Sequence, residues 1–421
     1  MADIRGFRGF RFDLGKAGAL ADVVCPPYDV IDPALQATLA AKPFNAVRVE
    51  LTPDVPGGDK YAAAAATLRN WLADEVLRQD TARSLYVYEQ EFATEQGTLT
   101  RRGFLARVRL EPFGTGKVFP HEQTLSGPKA DRLRLIQATG FNLSPVFGLY
   151  PDEAGQVFAK LEPLVRKQPP LTATDHLGVV NRLWVVTDSA TISQVIGLMG
   201  ARPVFIADGH HRYEAGLKYK DEQNPDDPEA PANFCLMMLV GMSDPGLVIL
   251  PTHRLVSGLP PLTREQLEAA LGPAFAAVGR FDDAASCWEH VQLEDSQRVL
   301  GFGTTADGKW LAVKLVDEAA LDALATDRSA EWRGLAVSLL HRLVLEKLLL
   351  TSVGGSPSCT YVHRLDEVTA ATGYQLACLV PPVGMEHVEA VAGNRETMPP
   401  KATYFYPKLL TGLVFHSLKK E

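Results

Sequence analysis

The sequence predicts a mixed α/β (α+β) protein: an N-terminal α/β unit, a central unit of alternating strands and helices, and a C-terminal α/β unit. Three observations lead there. Short, near-continuous apolar runs such as Leu183–Val186, Phe234–Val240 and Leu247–Leu250 read as strands covered on both faces. Stretches rich in helix formers (Asp59–Leu77, Ala215–Gln223, Thr263–Leu271, Glu331–Leu350) are interspersed with them. A length of 421 residues suits roughly two or three domains. The expected boundaries are 1–115, 116–260 and 261–421.

In the first unit, Ala46–Leu51 alternates as a strand and Asp59–Leu77 is an alanine-rich helix. Ser84–Phe92 and Gly103–Leu110 read as a strand pair. Cys25-Pro26-Pro27-Tyr28-Asp29-Val30 is a rigid extended turn, because each proline fixes its own φ and biases the residue before it. The glycine-rich Phe113–Lys117 reads as a hinge or linker. Residues 133–260 alternate strands and helices, and Arg202–Phe205 is a short buried strand. Farther on, Thr263–Leu271 is a capped helix, and Val299–Gly303 with Trp310–Val316 forms a hairpin. Glu331–Leu350 is the longest amphipathic helix, and Asp366–Thr372, Gln375–Val380 and Met385–Val391 follow as helix, strand, helix.

Composition narrows the function. Apolar residues make up 46% and charged residues 22%, as in ordinary soluble proteins. A net charge of −8 gives no global attraction for nucleic acid or an anionic membrane. An anion must be held by a local basic cluster. The five cysteines are scattered without a CxxC pair, as expected of reduced thiols in a cytoplasmic protein. The N-terminus lacks a signal-peptide core, and no apolar run approaches the roughly 18 residues that span a bilayer. The expected partners are small molecules, with neither nucleic acid nor membrane among them.

Three polar patches stand out. Ile206–Glu214 places Asp208-Gly209-His210-His211-Arg212 where a buried strand turns into a helix, so free backbone N–H groups, Arg212 and two imidazoles form a receptor for phosphate. His121-Glu122-Gln123-Thr124 precedes Lys129 and Arg132, and Met398–Lys408 carries Lys401, Thr403 and Lys408. Thr252-His253-Arg254 ends an apolar strand, where α/β folds commonly place ligand contacts. Basic groups, hydroxyls and carboxylates are the set that phosphoryl transfer needs, to hold the phosphoryl group and to deprotonate its acceptor. Walker and dinucleotide-binding glycine motifs are absent from the sequence. His121-Glu122 does not begin a zinc-protease motif, since Leu stands at 125. His210 and Glu214 share a helix face, but adjacent His210 and His211 make a poor chelating pair.

The order Pro120-His121-Glu122-Gln123, Asp208-Gly209-His210-His211-Arg212 and Pro400-Lys401-Ala402-Thr403 resembles the free L-serine kinases of the ParB/sulfiredoxin superfamily. Nearly the whole chain is similar to a longer bacterial and archaeal family with a CPPYDVI-like turn, a PHEQT box, IADGHHRYEA and MPPKxTYFYPKL. The resemblance makes residues 116–260 a ParB/serine-kinase-like catalytic domain and 398–408 a motif that closes the site. It implies transfer of a phosphoryl group to the hydroxyl of free L-serine, giving O-phosphoserine, with Mg²⁺ as cofactor. Pyrophosphate or polyphosphate is preferred as donor over ADP or ATP, because no adenine-binding signature is readable. Glu122 would be the general base and Asp208 the second catalytic carboxylate, orienting phosphate or Mg²⁺. Donor phosphates would meet His121, Thr124, Lys129, Arg132, Gly209, His210, His211, Arg212, His253, Arg254, Lys401 and Thr403. The alternative is a non-catalytic nucleotide- or metabolite-binding regulator of ParB-like type. A DNA clamp would need a basic DNA-binding domain, and sulfiredoxin chemistry a cysteine in the phosphate loop; this sequence has neither.

Overall fold

The computed structural model describes residues 2–54, 57–94, 97–122 and 126–419. The protein is a mixed α/β fold whose contacts divide it into two compact units. The first comprises residues 1–120, 124–248 and 407–421, and the second 121–123 and 249–406.

A nine-stranded sheet carries the first unit. Its strands are β1 (Ile4–Arg5), β2 (Leu85–Thr94), β3 (Gly97–Arg109), β4 (Val118–Pro120), β5 (Val146–Tyr150), β6 (Leu171–Thr174), β7 (Val180–Val186), β8 (Val204–Asp208) and β9 (Phe234–Gly241). They lie in the order β4-β8-β5-β9-β3-β2-β7-β6, with β1 also paired to β3. The β4–β8 and β5–β9 pairs are parallel and the others antiparallel. Seven of the eight residues of β9 are buried, as a strand covered on both faces requires.

Two helices show local control. α1 (Lys60–Ala73) starts where the Asp59 side chain accepts the Tyr61 N–H. α2 (His210–Gln223) starts at Gly209, whose φ of 86° lies in the left-handed region that favours glycine. The segment 46–51, expected as a strand, contains instead the short helix Val47–Glu50. Asn45 accepts the Val47 N–H and donates to the Asp22 and Val24 carbonyls, which closes a turn there. Val47, Val49 and Glu50 are all buried, so the apparent alternation does not separate an inside from an outside face. The chain's end returns to this unit: Thr411 bridges Cys25, Phe415 bridges Phe10, and His416–Ser417 pairs with Phe141–Asn142. The Cys25–Val30 turn is extended through Pro27 and ends in one 3₁₀ turn at Tyr28–Val30.

The second unit holds a six-stranded antiparallel sheet. Its strands are β10 (His253–Ser257), β11 (Phe275–Phe281), β12 (Val299–Thr304), β13 (Lys309–Leu315), β14 (Ser358–Val362) and β15 (Leu376–Leu379), in the order β11-β13-β12-β15-β10-β14. The Arg264–Leu271 helix has the capping box Thr263/Gln266. Residues 331–350 do not form the single helix expected. Leu335 is extended, separating Ala330–Arg333 from Ala336–Ser338 and from Leu339–Leu349, which is wound as a π-helix. Among the described residues no helix is long and apolar enough to cross a membrane.

Candidate functional site

In the first unit the site grows from the end of β8. A bulge between Ile206 and Asp208 shifts the register against β5, so Asp208 falls opposite Phe147. Asp208 Oδ1 accepts the Gly209 N–H at 2.7 Å, and Oδ2 accepts from Lys408 Nζ at 3.1 Å. Arg212 Nη2 approaches the same oxygen at 3.7 Å. Burial opposes the charged form, yet Lys408 and Arg212 hold the Asp208 carboxyl well below the usual carboxylate range.

Arg212 lies on the first turn of α2, 9% exposed. It donates from Nη1 to the Pro145 carbonyl, while its Nε is buried without a hydrogen-bond partner among the described residues. Gly209 is required beneath it: a Cβ there would stand 2.9 Å from the guanidinium. The glycine caps α2 with no side-chain bond. His210 is buried and His211 half-buried on that turn.

Arg101, from the middle of β3, packs its guanidinium 4.8 Å from the Phe147 ring centre and donates to Gln90 and to the Pro407 carbonyl. Burial pushes this guanidinium down to about 10, opposed by the charges around it, Asp208 among them. Arg132 stacks over Tyr28 at 4.0 Å and donates to Glu50, whose carboxylate also accepts from Ser144. Asp131 accepts from Arg132 and from Tyr61. Burial would raise the Asp131 carboxyl, but Arg132 and its hydrogen bonds bring it down to about 2. Lys129 pairs with Glu214 at 2.9 Å on a more exposed surface.

His121, Glu122, His253, Arg254, Lys401 and Thr403 belong to the second unit. His121 Nε2 is 2.7 Å from Thr403 Oγ1, and its ring meets Phe405 edge-on. Met398 N donates to the His121 carbonyl and Glu122 bridges Met398, so the Pro-His-Glu box and the Pro-Lys-x-Thr motif meet here. Arg254 is buried on β10 and donates to the carbonyls of Thr252 and Lys401, and to His341 Nε2 at 3.4 Å. Glu122 lies within electrostatic reach of Arg254 and Tyr361. His253 is buried on the same strand, and its Nδ1 accepts the Val380 N–H. Burial, then Arg254 and His363, push it down to about 3, so it is neutral. Thr124 lies outside the described residues.

The structure adds Lys408, which bonds Asp208, and Arg101 and Tyr28, which lie within its electrostatic reach; none was singled out as a site residue in the sequence. Lys408 stands in the third polar patch, and its charge was the available signal. Arg101 sits in an unremarkable strand. The Mg²⁺ expected on Asp208 would share a carboxylate whose oxygens already accept from Gly209 and Lys408. Among the described residues no group of three or more His, Cys, Asp or Glu side chains is placed to hold one.

The family described as "Protein of unknown function (DUF1015)" matches residues 4–338. No curated protein matches the chain. Solved structures with partial similarity include a conserved hypothetical protein from Pyrococcus furiosus, with 13% identity and TM-score 0.35, covering 70% of this chain and 89% of that one. A free serine kinase mutant in complex with ADP has 10% identity and TM-score 0.36, covering 69% and 84%. SbnI with a C-terminal truncation, from Staphylococcus aureus, has 11% identity and TM-score 0.36, covering 74% and 86%. At these scores none of the likenesses bears on the chemistry.

Proposed function

The chain belongs to the DUF1015 family, and from that premise we propose that it transfers a phosphoryl group from a phosphoanhydride donor to the hydroxyl of free L-serine. One observation carries the reading: Lys408 and Arg212 both approach the Asp208 carboxylate at the Gly209 turn, where α2 begins. Two cations at a strand end that turns into a helix suit the oxygens of a di- or polyphosphate. Pyrophosphate or polyphosphate is the preferred donor, ahead of ADP or ATP.

In this reading Asp208 does not attack. It holds Lys408 and Arg212 in place, and they take the donor oxygens at the start of α2. The serine oxygen forms a bond to phosphorus, the bridging P–O bond breaks, and its electron pair leaves with the second phosphate. The hydroxyl proton goes to Glu122, the base that the motif resemblance assigns. His121 with Thr403, His253 with Arg254, and Lys401 remain proposed donor contacts, as do Arg132, Lys129, His210 and His211. Where Mg²⁺ is bound, Asp208 would hold it and the ion would neutralise donor oxygens.

The test is direct: purified protein with L-serine and, in turn, pyrophosphate, polyphosphate, ADP and ATP, assayed for O-phosphoserine. Formation from at least one donor supports the reading. Donor binding without phosphoserine points instead to the regulator class.

A further inference from the structure

A second basic cavity of about 290 Å³ opens in the first unit, away from Asp208. Asp208, Phe147, Met238 and Leu105 form one row across β8, β5, β9 and β3, and Arg107 follows two residues along β3 from Leu105. Three strand spacings and two residues separate Asp208 from Arg107 by roughly 15 Å.

Four cations line this cavity: Arg8, Arg83, Arg107 and Lys419, against the carboxylates of Asp227 and Glu229. Glu229 is shared among Arg5, Arg107 and Arg109. Arg107 is only 7% exposed, lies 4.3 Å from the Phe234 ring centre, and keeps a buried Nε without a hydrogen-bond partner among the described residues. Burial and the neighbouring Arg83 push its guanidinium down, a strain that an anion would relieve. His416, 4% exposed, also lines the cavity, and its Nε2 is buried without a partner among the described residues. The ring already bonds the Pro231 backbone. With Nδ1 donating to that carbonyl, neutral Nε2 is an acceptor awaiting a donor.

We propose that this cavity binds a small hydroxylated dianion, a phosphate ester of a polyol, with its phosphate on Arg107, Arg83 and Lys419 and a hydroxyl donated to His416 Nε2. Cations alone would take any anion; the paired acceptor selects one that carries a hydroxyl. His416 follows Lys408 by eight positions in the same returning tail. The proposal stands independently of the phosphoryl-transfer reading.

Calorimetric titration of the full chain with glycerol 3-phosphate and with inorganic phosphate tests it. The parent should bind the ester more tightly than phosphate. Arg83→Ala with Lys419→Ala, both exposed positions, should weaken the ester roughly tenfold or more, with an unchanged circular dichroism spectrum. His416→Phe should abolish the preference for the ester, and Asp208→Asn should leave ester binding in place. Absence of binding up to roughly 10 mM would overturn the proposal. So would unchanged affinity in the double variant, or a preference that survives His416→Phe. Loss of ester binding in Asp208→Asn would assign the ligand to the other site and overturn it as well.

Discussion

Lys408 reaches across 200 positions of sequence to donate to the Asp208 carboxylate at 3.1 Å. The lysine side chain is 13% exposed and the aspartate 21%, so the pair is shielded from water on most sides. Breaking it leaves the partly buried carboxylate to the more distant Arg212. Lys408→Met is expected to weaken pyrophosphate binding roughly tenfold or more and to lower the melting temperature, while Lys408→Arg restores most of both. Equilibrium binding and thermal melts check this. Donor affinity unchanged in Lys408→Met would remove the lysine from the site.

Arg212→Lys keeps a cation but loses the planar fork. A lysine cannot both donate to the Pro145 carbonyl and present a second N–H toward a ligand along the Nε edge. Donor affinity should fall roughly ten- to a hundredfold, with the pH profile of turnover unmoved. Normal donor affinity in Arg212→Ala would refute the phosphate-loop assignment.

Gly209→Ala combines two penalties. The left-handed backbone costs a residue with a Cβ roughly 1–2 kcal/mol, and the methyl group would press on the Arg212 guanidinium 2.9 Å away. The variant should melt lower and also lose donor affinity. If it lost stability alone, Arg212 would have found another equally good position.

Three buried or half-buried histidines set an acid limit on stability. His253 and His416 are pushed down to about 3 and His341 to about 4, each by burial first and a nearby arginine second. An unfolded histidine titrates at roughly 6.5, so below that pH the unfolded chain binds protons that the folded one refuses. Stability is therefore full above about pH 6.5 and declines toward about pH 4. Asp208, held below its ordinary value, adds loss only at still lower pH. Melting temperatures at pH 7.5, 6 and 5 should fall in that order, and His253→Gln, which keeps an acceptor for the Val380 N–H, should make the fall shallower. A flat profile would contradict the neutral assignments.

What was legible in the sequence was what neighbours decide. Asp59 and Thr263 cap their helices through residues two or three positions on, and the hairpin of β12 and β13 needs only its own turn. The 46–51 segment was misread because its valines are buried by distant packing and its turn is closed through Asp22 and Val24. The turn at Asp208 and Gly209 into the helix that carries Arg212 was readable, since a strand end, a turn and a helix start stand in nine residues. Lys408 and Arg101 were not, because their relation to Asp208 exists only once β3, β5, β8 and the returning tail are assembled. Arg132 was legible as a charge but not as the partner of Glu50, 82 residues earlier.

The central claim is that this protein makes O-phosphoserine with Glu122 as the proton acceptor, and Glu122→Gln tests it most directly. The glutamine keeps the size and most hydrogen bonding of the carboxylate and removes its basicity. Loss of a general base typically costs about 10² to 10⁴ in rate. With saturating L-serine and the donor that the parent uses best, the variant should bind donor nearly as the parent does and form O-phosphoserine at least roughly a hundredfold more slowly. Turnover equal to the parent's, or a parent that binds donor and forms no O-phosphoserine from any of them, would contradict the account.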